Sequence, residues 1–397
     1  MKKSSLFCML CLLLFKTALA QINTQKLTPV FSTLIFLPQE KHTHGSSIVS
    51  LPNGDFLCAW FMGSGERTAD DVKIMGARLQ KGSNTWSTPF LLADTYNIPD
   101  CNPVLFINKK GKLFLVWIAV EANKWEYSIL RFKTSTDYLK TDAPVWNWQD
   151  NIFLKPGDNF ATEVAAKFKE LPDNKAGWSA YAPGYDDMTI EASKDTRKRS
   201  IGWMTRIKPL LLDSSKILLP LYSDGYNFSM LAISDDDGNT WYCSMPIVGR
   251  GNVQPALALK KDGTIAAYMR DNGDAPSRVQ ISESTDKGKS WSAATKTNIP
   301  NTASVELLVL KDGKWAFVGN DIEDGRHRLS LYISEDEGKI WKWKYYLENE
   351  PPGKGSFSYP SLIQSIDGML HITYSYQLDK SGESIKYVMV NPNLITK

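Results

Sequence analysis

One eight-residue pattern occurs three times in this chain, as Ser234–Trp241 (SDDDGNTW), Ser284–Trp291 (STDKGKSW) and Ser334–Trp341 (SEDEGKIW), with starts spaced 50 residues apart. A fixed period of that length marks supersecondary units that bury their apolar faces against one another, so repetition constrains the fold before any local motif does. A second element follows the same rhythm. A tight polar turn runs into an apolar strand in LPNGDFLCAWF at 51, NKKGKLFLVWI at 108, LDSSKILLPLY at 212, KKDGTIAAYMR at 260, LKDGKWAFVGN at 310 and SIDGMLHITYS at 365. The Asn-Gly, Lys-Gly and Asp-Gly pairs tolerate positive φ, and the β-branched and aromatic runs behind them form strands, so each unit reads as part of a hairpin.

Six such units predict a six-bladed β-propeller, because radial repetition covers each sheet with its neighbours and leaves only short edges. A chain of 397 residues with 43% hydrophobic and 11% aromatic content buries a sizeable core, and its 26 Gly and 20 Pro suit many short turns. The gap between the units at 108 and 212 is about twice the others, which predicts an insertion between blades 2 and 3, over about 134–204. Within it Phe160, Val164, Phe168 and Leu171 share one helical face, with Asp158 or Asn159 as the cap. Its aromatics, Trp178, Tyr181, Tyr185 and Trp203, either wall a sugar site or pack a surface decoration; KDTRKRS at 194–200 reads as a solvated run.

Residues 1–20 have the layout of a secretory signal: Lys2 and Lys3, an apolar core through Leu14, then Ala18-Leu19-Ala20, with cleavage expected after Ala20. The remaining residues 21–397 form one propeller domain. No later stretch has the roughly 18 uninterrupted apolar residues of a membrane helix, so a secreted or periplasmic monomer is expected. Cys58, Cys101 and Cys243 have neither disulfide-framework nor zinc spacing and read as buried thiols. A net charge of +3 gives no nucleic-acid footprint.

The Ser-x-Asp-x-Gly-x-Thr-Trp pattern resembles the Asp-box of the sialidase superfamily, with Ile340 departing from it in the third copy. Its residues serve architecture: Ser and Asp bond a turn, Gly adopts a conformation barred to others, and Trp plugs the space between blades. SDDDGN lacks a bidentate Glu at the twelfth position, so a calcium loop is not expected, nor any other metal or cofactor.

The resemblance implies a pocket in which three arginines hold a sugar carboxylate, a Tyr activated by a Glu attacks, and an Asp protonates. Guanidinium forks grip a carboxylate, and a neutral Tyr avoids repulsion from an anionic substrate. Tyr359, nine residues before the turn glycine Gly368, matches the nucleophile; Arg270 and Arg328 match the second and third arginines. Asp71, immediately before a strand, matches the acid, and neighbouring Arg67 is expected to touch substrate while Arg78 supports the strand. Trp60, Trp117 and Tyr374 are assigned to packing between blades.

Three positions depart from the family. His44 stands where the first arginine belongs, Gln254 where the activating Glu belongs, and Asn102 where many sialidases have Asp before Pro. Gln takes no proton, which leaves His44 as base or anion ligand. The expected function is a secreted sialidase-like exo-glycosidase that removes a terminal acidic sugar from a glycan. A lyase acting on uronate-linked sugars, using His44 and Tyr359, and a non-catalytic glycan-binding propeller are the alternatives.

Overall fold

A computed structural model of the protein describes residues 23–172 and 184–395, apart from 27, 214 and 381. Six antiparallel sheets follow one another along the chain as the blades of a propeller. Their innermost strands are His42–Ser50, Asp100–Ile107, the split pair Met204–Thr205 and Leu210–Leu211, Asn252–Leu259, Glu306–Val309 and Ser356–Gln364. Of the second strands, Leu113–Val120 (LFLVWIAV) and Ile217–Ser223 (ILLPLYS) are buried along their whole length and the others along most or all of it. Their near-continuous apolar character follows from having a neighbouring blade on each face. Trp60, Trp117 and Tyr374 are wholly buried there, and Arg78 is tied to Asp55 and to the Tyr138 and Asp142 carbonyls.

The ring closes with strand Phe31–Leu34, which pairs antiparallel with Ser384–Val390 and so supplies the outer strand of blade 6. Strand Asn23–Lys26 adds a parallel fifth strand to blade 5. Nearer the axis, the Glu383 carboxylate accepts from the Thr43 amide at 2.7 Å, and Ser375 Oγ from the Gly45 amide at 3.0 Å. Blades 6 and 1 are therefore stitched together at the mouth of the ring.

Each box is a hydrogen-bonded turn. The Ser234, Ser284 and Ser334 hydroxyls accept from the Gly238, Gly288 and Gly338 amides at 2.8, 2.9 and 3.0 Å. Asp236, Asp286 and Asp336 accept from the amides of Thr240, Ser290 and Ile340. Thr240 and Ser290 add a hydroxyl bond to the same Asp, which Ile340 cannot make. The box glycines sit at φ +81° to +88° and press on the preceding blade: a Cβ would meet Phe114 at 2.8 Å from Gly238, Leu218 at 3.1 Å from Gly288 and Tyr268 Oη at 2.5 Å from Gly338. The boxes thus clamp adjacent blades. Gly338→Ala is expected to lower stability by about 2–3 kcal/mol, through left-handed strain plus this contact, whereas Gly368→Ala, at φ +88° with open space around it, costs about 1 kcal/mol. Chemical-denaturation midpoints of the two variants check the difference; equal losses would show that the clamp contributes nothing.

The segment between blades 2 and 3 is partly blade. Strand Trp148–Asn151 completes blade 2 inside the stretch assigned from the sequence to an insertion. Helices follow at Asn159–Glu170, Tyr185–Lys194 and Thr196–Ser200. Phe160, Val164 and Phe168 are buried, with Phe160 against Trp203, Tyr226 and Phe228. Asp158 precedes the first helix but pairs with Arg199 at 2.5 Å instead of capping it. The run at 194–200 is not wholly solvated: Arg199 is buried and also donates to the Pro156 carbonyl at 2.8 Å. Trp203 and Tyr185 are spent on this packing, while Trp178, Tyr181 and residues 1–20 lie outside the described residues. Cys58 and Cys101 are buried and Cys243 half-buried, all as free thiols. Among the described residues no helix is long and apolar enough to cross a membrane.

Candidate active site at the propeller axis

Four innermost strands break register at one equivalent place: between His44 and Ser47, Cys101 and Val104, Val253 and Ala256, and Ser358 and Ser361. At each break, nine residues before the turn glycine, one residue is left-handed: Gly45 (φ +66°), Asn102 (+50°), Gln254 (+58°) and Tyr359 (+57°). A β-bulge re-aims the side chain it carries. At Gly45 only glycine fits, because a Cβ would lie 2.8 Å from the Phe61 ring. For the other three, left-handed backbone costs on the order of 1–3 kcal/mol each, strain that concentrates at functional sites. Asn102, Gln254 and Tyr359 all reach one pocket.

That pocket holds about 330 Å³ at the axis, where the innermost strands begin, and the side chains of His42, His44, Glu66, Trp125, Tyr222, Asp224, Arg270 and Arg326 also line it. The volume lies near the lower end of ligand pockets, about 300–1,000 Å³, and suits one sugar ring with its substituents. Tyr359 is its centre. Gln254 Nε2 and Arg270 Nη1 both donate to its phenol oxygen at 3.2 Å. The Arg206 and Arg326 guanidiniums lie over its ring at 4.9 and 5.4 Å, and the His44 ring centre is 4.0 Å away. Beside it, Asn102 Nδ2 donates to the Tyr222 hydroxyl at 3.1 Å.

The three guanidiniums around Tyr359 hydrogen-bond only to neutral groups among the described residues. Arg206, wholly buried, donates to the Ser46 and Pro360 carbonyls, Arg326 to the Ser358 hydroxyl at 3.4 Å, and Arg270 to Tyr359, with Arg270 Nε buried and unpartnered. Arg206 is fully buried and Arg270 and Arg326 are half-buried, an arrangement of cationic donors able to receive an anion. The same charges act on His44. Burial, then Arg326, His42, Arg206 and Arg270, hold its pKa well below the ordinary value, so its imidazole stays neutral and is a weaker base than a free histidine. His42 differs: burial opposes its charge, but the Glu383 carboxylate at 3.1 Å raises its pKa overall.

Two pocket residues favour the protonated form. Although Asp224 keeps an exposed surface, the surrounding protein raises its carboxyl above the usual range, Arg270 and Arg67 opposing the rise and Glu66 and Glu126 adding to it. Burial, followed by the charge of Asp224, raises Tyr222 well above an ordinary phenol. Asp224 is thus the group suited to deliver a proton inside the pocket. No trio of His, Cys, Asp or Glu side chains is placed to hold a metal among the described residues.

Of the residues singled out from the sequence, His44, Asn102, Gln254, Arg270 and Tyr359 come together here. Arg328 does not. It begins the third strand of blade 5, far out along the blade, where Nε donates to Asn349 at 2.9 Å and the guanidinium covers Tyr346. The loop just before that strand returns to the axis and brings Arg326 instead. Asp71 is also displaced: half-exposed, it accepts from the Ser64 amide and hydroxyl at 2.9 and 2.6 Å and faces Lys41. Those bonds hold its carboxyl below the usual range, the reverse of what a general acid needs. Arg67 lies over the Trp125 ring at 5.4 Å, in an adjoining pocket.

The family model described as a BNR repeat-like domain matches residues 54–206 and 173–372. Comparison with curated proteins found no match. Among solved structures, the chain is similar to the NanB sialidase of Streptococcus pneumoniae (TM-score 0.64, 13% identity, 91% of this chain and 71% of that one). It is similar to the intramolecular trans-sialidase of Ruminococcus gnavus (0.63, 14%, 91% and 98%) and to the α-L-arabinanase of Penicillium chrysogenum (0.60, 14%, 93% and 99%). At such identities the likeness is one of fold.

Proposed function

This chain belongs to the BNR repeat-like domain family, and from that membership and the axial pocket we propose a glycosidase that grips a terminal acidic sugar by its carboxylate and releases it from a glycan. The cluster of Arg206, Arg270 and Arg326 around Tyr359, whose hydrogen bonds go to neutral groups, carries the reading. Sialidases and an arabinanase among the structural neighbours support action on a glycan. Arg270 and Arg326 hold the carboxylate in a charge-assisted grip and Arg206 adds fixed charge from beneath Tyr359. The Tyr359 oxygen attacks the anomeric carbon, its proton passing to neutral His44, while Asp224 protonates the departing glycosidic oxygen. Water then cleaves the glycosyl–tyrosine bond, Asp224 drawing off its proton while His44 returns the first proton to the departing Tyr359 oxygen. Export, as the first 20 residues suggest, places this activity outside the cytoplasm.

The test is release of a fluorophore from aryl glycosides of acidic sugars across pH. Activity is expected to peak on the acid side of neutrality. It declines as pH rises because Asp224, despite its raised pKa, loses its proton, and it persists below about pH 6.5 because His44 stays unprotonated. A profile that climbs through neutrality to an alkaline optimum would remove Asp224 from the acid's role.

A second reading rests on Gln254. With an amide rather than a carboxylate at 3.2 Å from the Tyr359 oxygen, the Tyr359–His44 pair also suits proton abstraction next to an arginine-neutralised uronate carboxylate, which is β-elimination. An unsaturated product would favour it.

A further inference from the structure

The box turn at Ser234–Trp241 borders a cleft of about 500 Å³ between the outer parts of blades 2 and 3. It lies at the opposite end of the blades from the axial pocket. Lys112 and Thr134, which line it, stand just before the second strand of blade 2 and near the end of the third, whereas the axial pocket opens where the innermost strands begin. Phe114 and Phe132, buried and stacked with ring centres 6.2 Å apart, form its floor. Trp148 and Phe153, 60% and 67% exposed, border it from the outermost strand of blade 2 and the segment just beyond. Five residues of near-extended chain separate these two rings, roughly 16 Å. Trp241 faces the cleft from blade 3, and its Nε1 has no acceptor among the described residues, although the equivalent Trp291 Nε1 donates to the Gly288 carbonyl at 3.2 Å.

Large aromatics left in water beside a cleft mark an interaction surface. What surrounds the rings selects the occupant. Asp150 and Asn151 of blade 2 and Asn239 and Thr240 of blade 3 set carboxylate, amide and hydroxyl groups around the aromatics. The apolar centre of a protein partner would bury those groups without a match, at a cost for each. A pyranose is apolar across the faces of its ring and polar around its edge, so it stacks on an indole while its hydroxyls meet the polar border. A phosphate-bearing chain is disfavoured, because Lys112 is the only cation among the described residues of the wall and Asp150 opposes it. We propose that this cleft is a second glycan site, remote from the axial pocket, which attaches the protein to a neutral run of linked pyranose sugars. The distance from Trp148 to Phe153 exceeds one ring, so a chain of sugars, not a monosaccharide, is the ligand. The assignment rests on the reading that the protein acts on glycans, but it uses none of the residues around Tyr359.

The test titrates wild type, Trp148→Ala and Phe153→Ala with maltohexaose, cellohexaose, xylohexaose and chitohexaose by calorimetry, and follows turnover of an acidic aryl glycoside in parallel. Both side chains are largely exposed, so the variants are expected to fold, which their melting temperatures check. Wild type is expected to bind at least one hexaose, and Trp148→Ala to bind it at least about tenfold more weakly, with a smaller loss for Phe153→Ala. Turnover of the aryl glycoside is expected to stay within about twofold in both variants. Failure of wild type to bind any of the four, or equal binding by wild type and both variants, would overturn the site. Self-association of wild type in sedimentation velocity that Trp148→Ala abolishes would also overturn it, by giving the cleft to a second copy of the chain. Hexaose binding that depends on Trp148, with no acidic sugar released from any substrate, would uphold the site and sink the glycosidase reading.

Discussion

Tyr359→Phe is expected to lower kcat about 10³-fold while leaving affinity for the acidic sugar within about threefold. The substitution removes one oxygen. The ring that remains keeps its contacts with Arg206, Arg326 and His44, so the pocket's shape and its cationic lining persist. What disappears is the phenol oxygen proposed as the nucleophile, on which Gln254 and Arg270 converge. Turnover of an acidic glycoside together with calorimetric titration of the free sugar separates the two effects. A variant that turns over normally would show that Tyr359 only lines the pocket.

Arg270→Met is the second large effect. A charge-assisted hydrogen bond contributes about 1.5–3 kcal/mol, so losing this arm of the grip is expected to reduce kcat/KM about 10- to 150-fold. The loss should shrink when the substrate's carboxylate is methylated, since the missing partner then has little to hold. Arg328→Met, on the blade's periphery against Asn349, is expected to stay within about twofold. Equal losses for Arg270→Met on acid and ester would place Arg270 with Tyr359 alone.

The propeller was legible because its determinants are local and repeated: each box closes within its own eight residues, and each turn glycine precedes an apolar strand. The site was only partly legible, and the reason differs by residue. Tyr359, Gln254 and Asn102 sit on one register, nine residues ahead of a turn glycine. Arg206 holds the same place in the third blade, but that unit's turn is SSK, without glycine, and the signal is hidden. Tyr222 is likewise the third-blade counterpart of Arg270, both near the end of a second strand.

Arg326 and Arg328 show where periodicity fails. Two residues apart, they differ in whether the backbone is still in the loop that returns to the axis or already in the third strand, a distinction set by blade geometry. Asp71 and Asp224 differ by environment. Both are exposed, but one is satisfied by Ser64 within its own loop, whereas the other stands among Arg270, Glu66 and Glu126, neighbours that come together only when separate blades meet.

The most direct measurement of the central claim is product analysis by mass spectrometry, with wild type and Tyr359→Phe incubated with oligosaccharides ending in sialic acid, in a uronate or in a neutral sugar. The predicted result is release of an acidic monosaccharide with one water added across the cleaved bond, from acid-terminated chains only and lost in Tyr359→Phe. Release from neutral-terminated chains, or release of the acidic sugar undiminished in Tyr359→Phe, would contradict it.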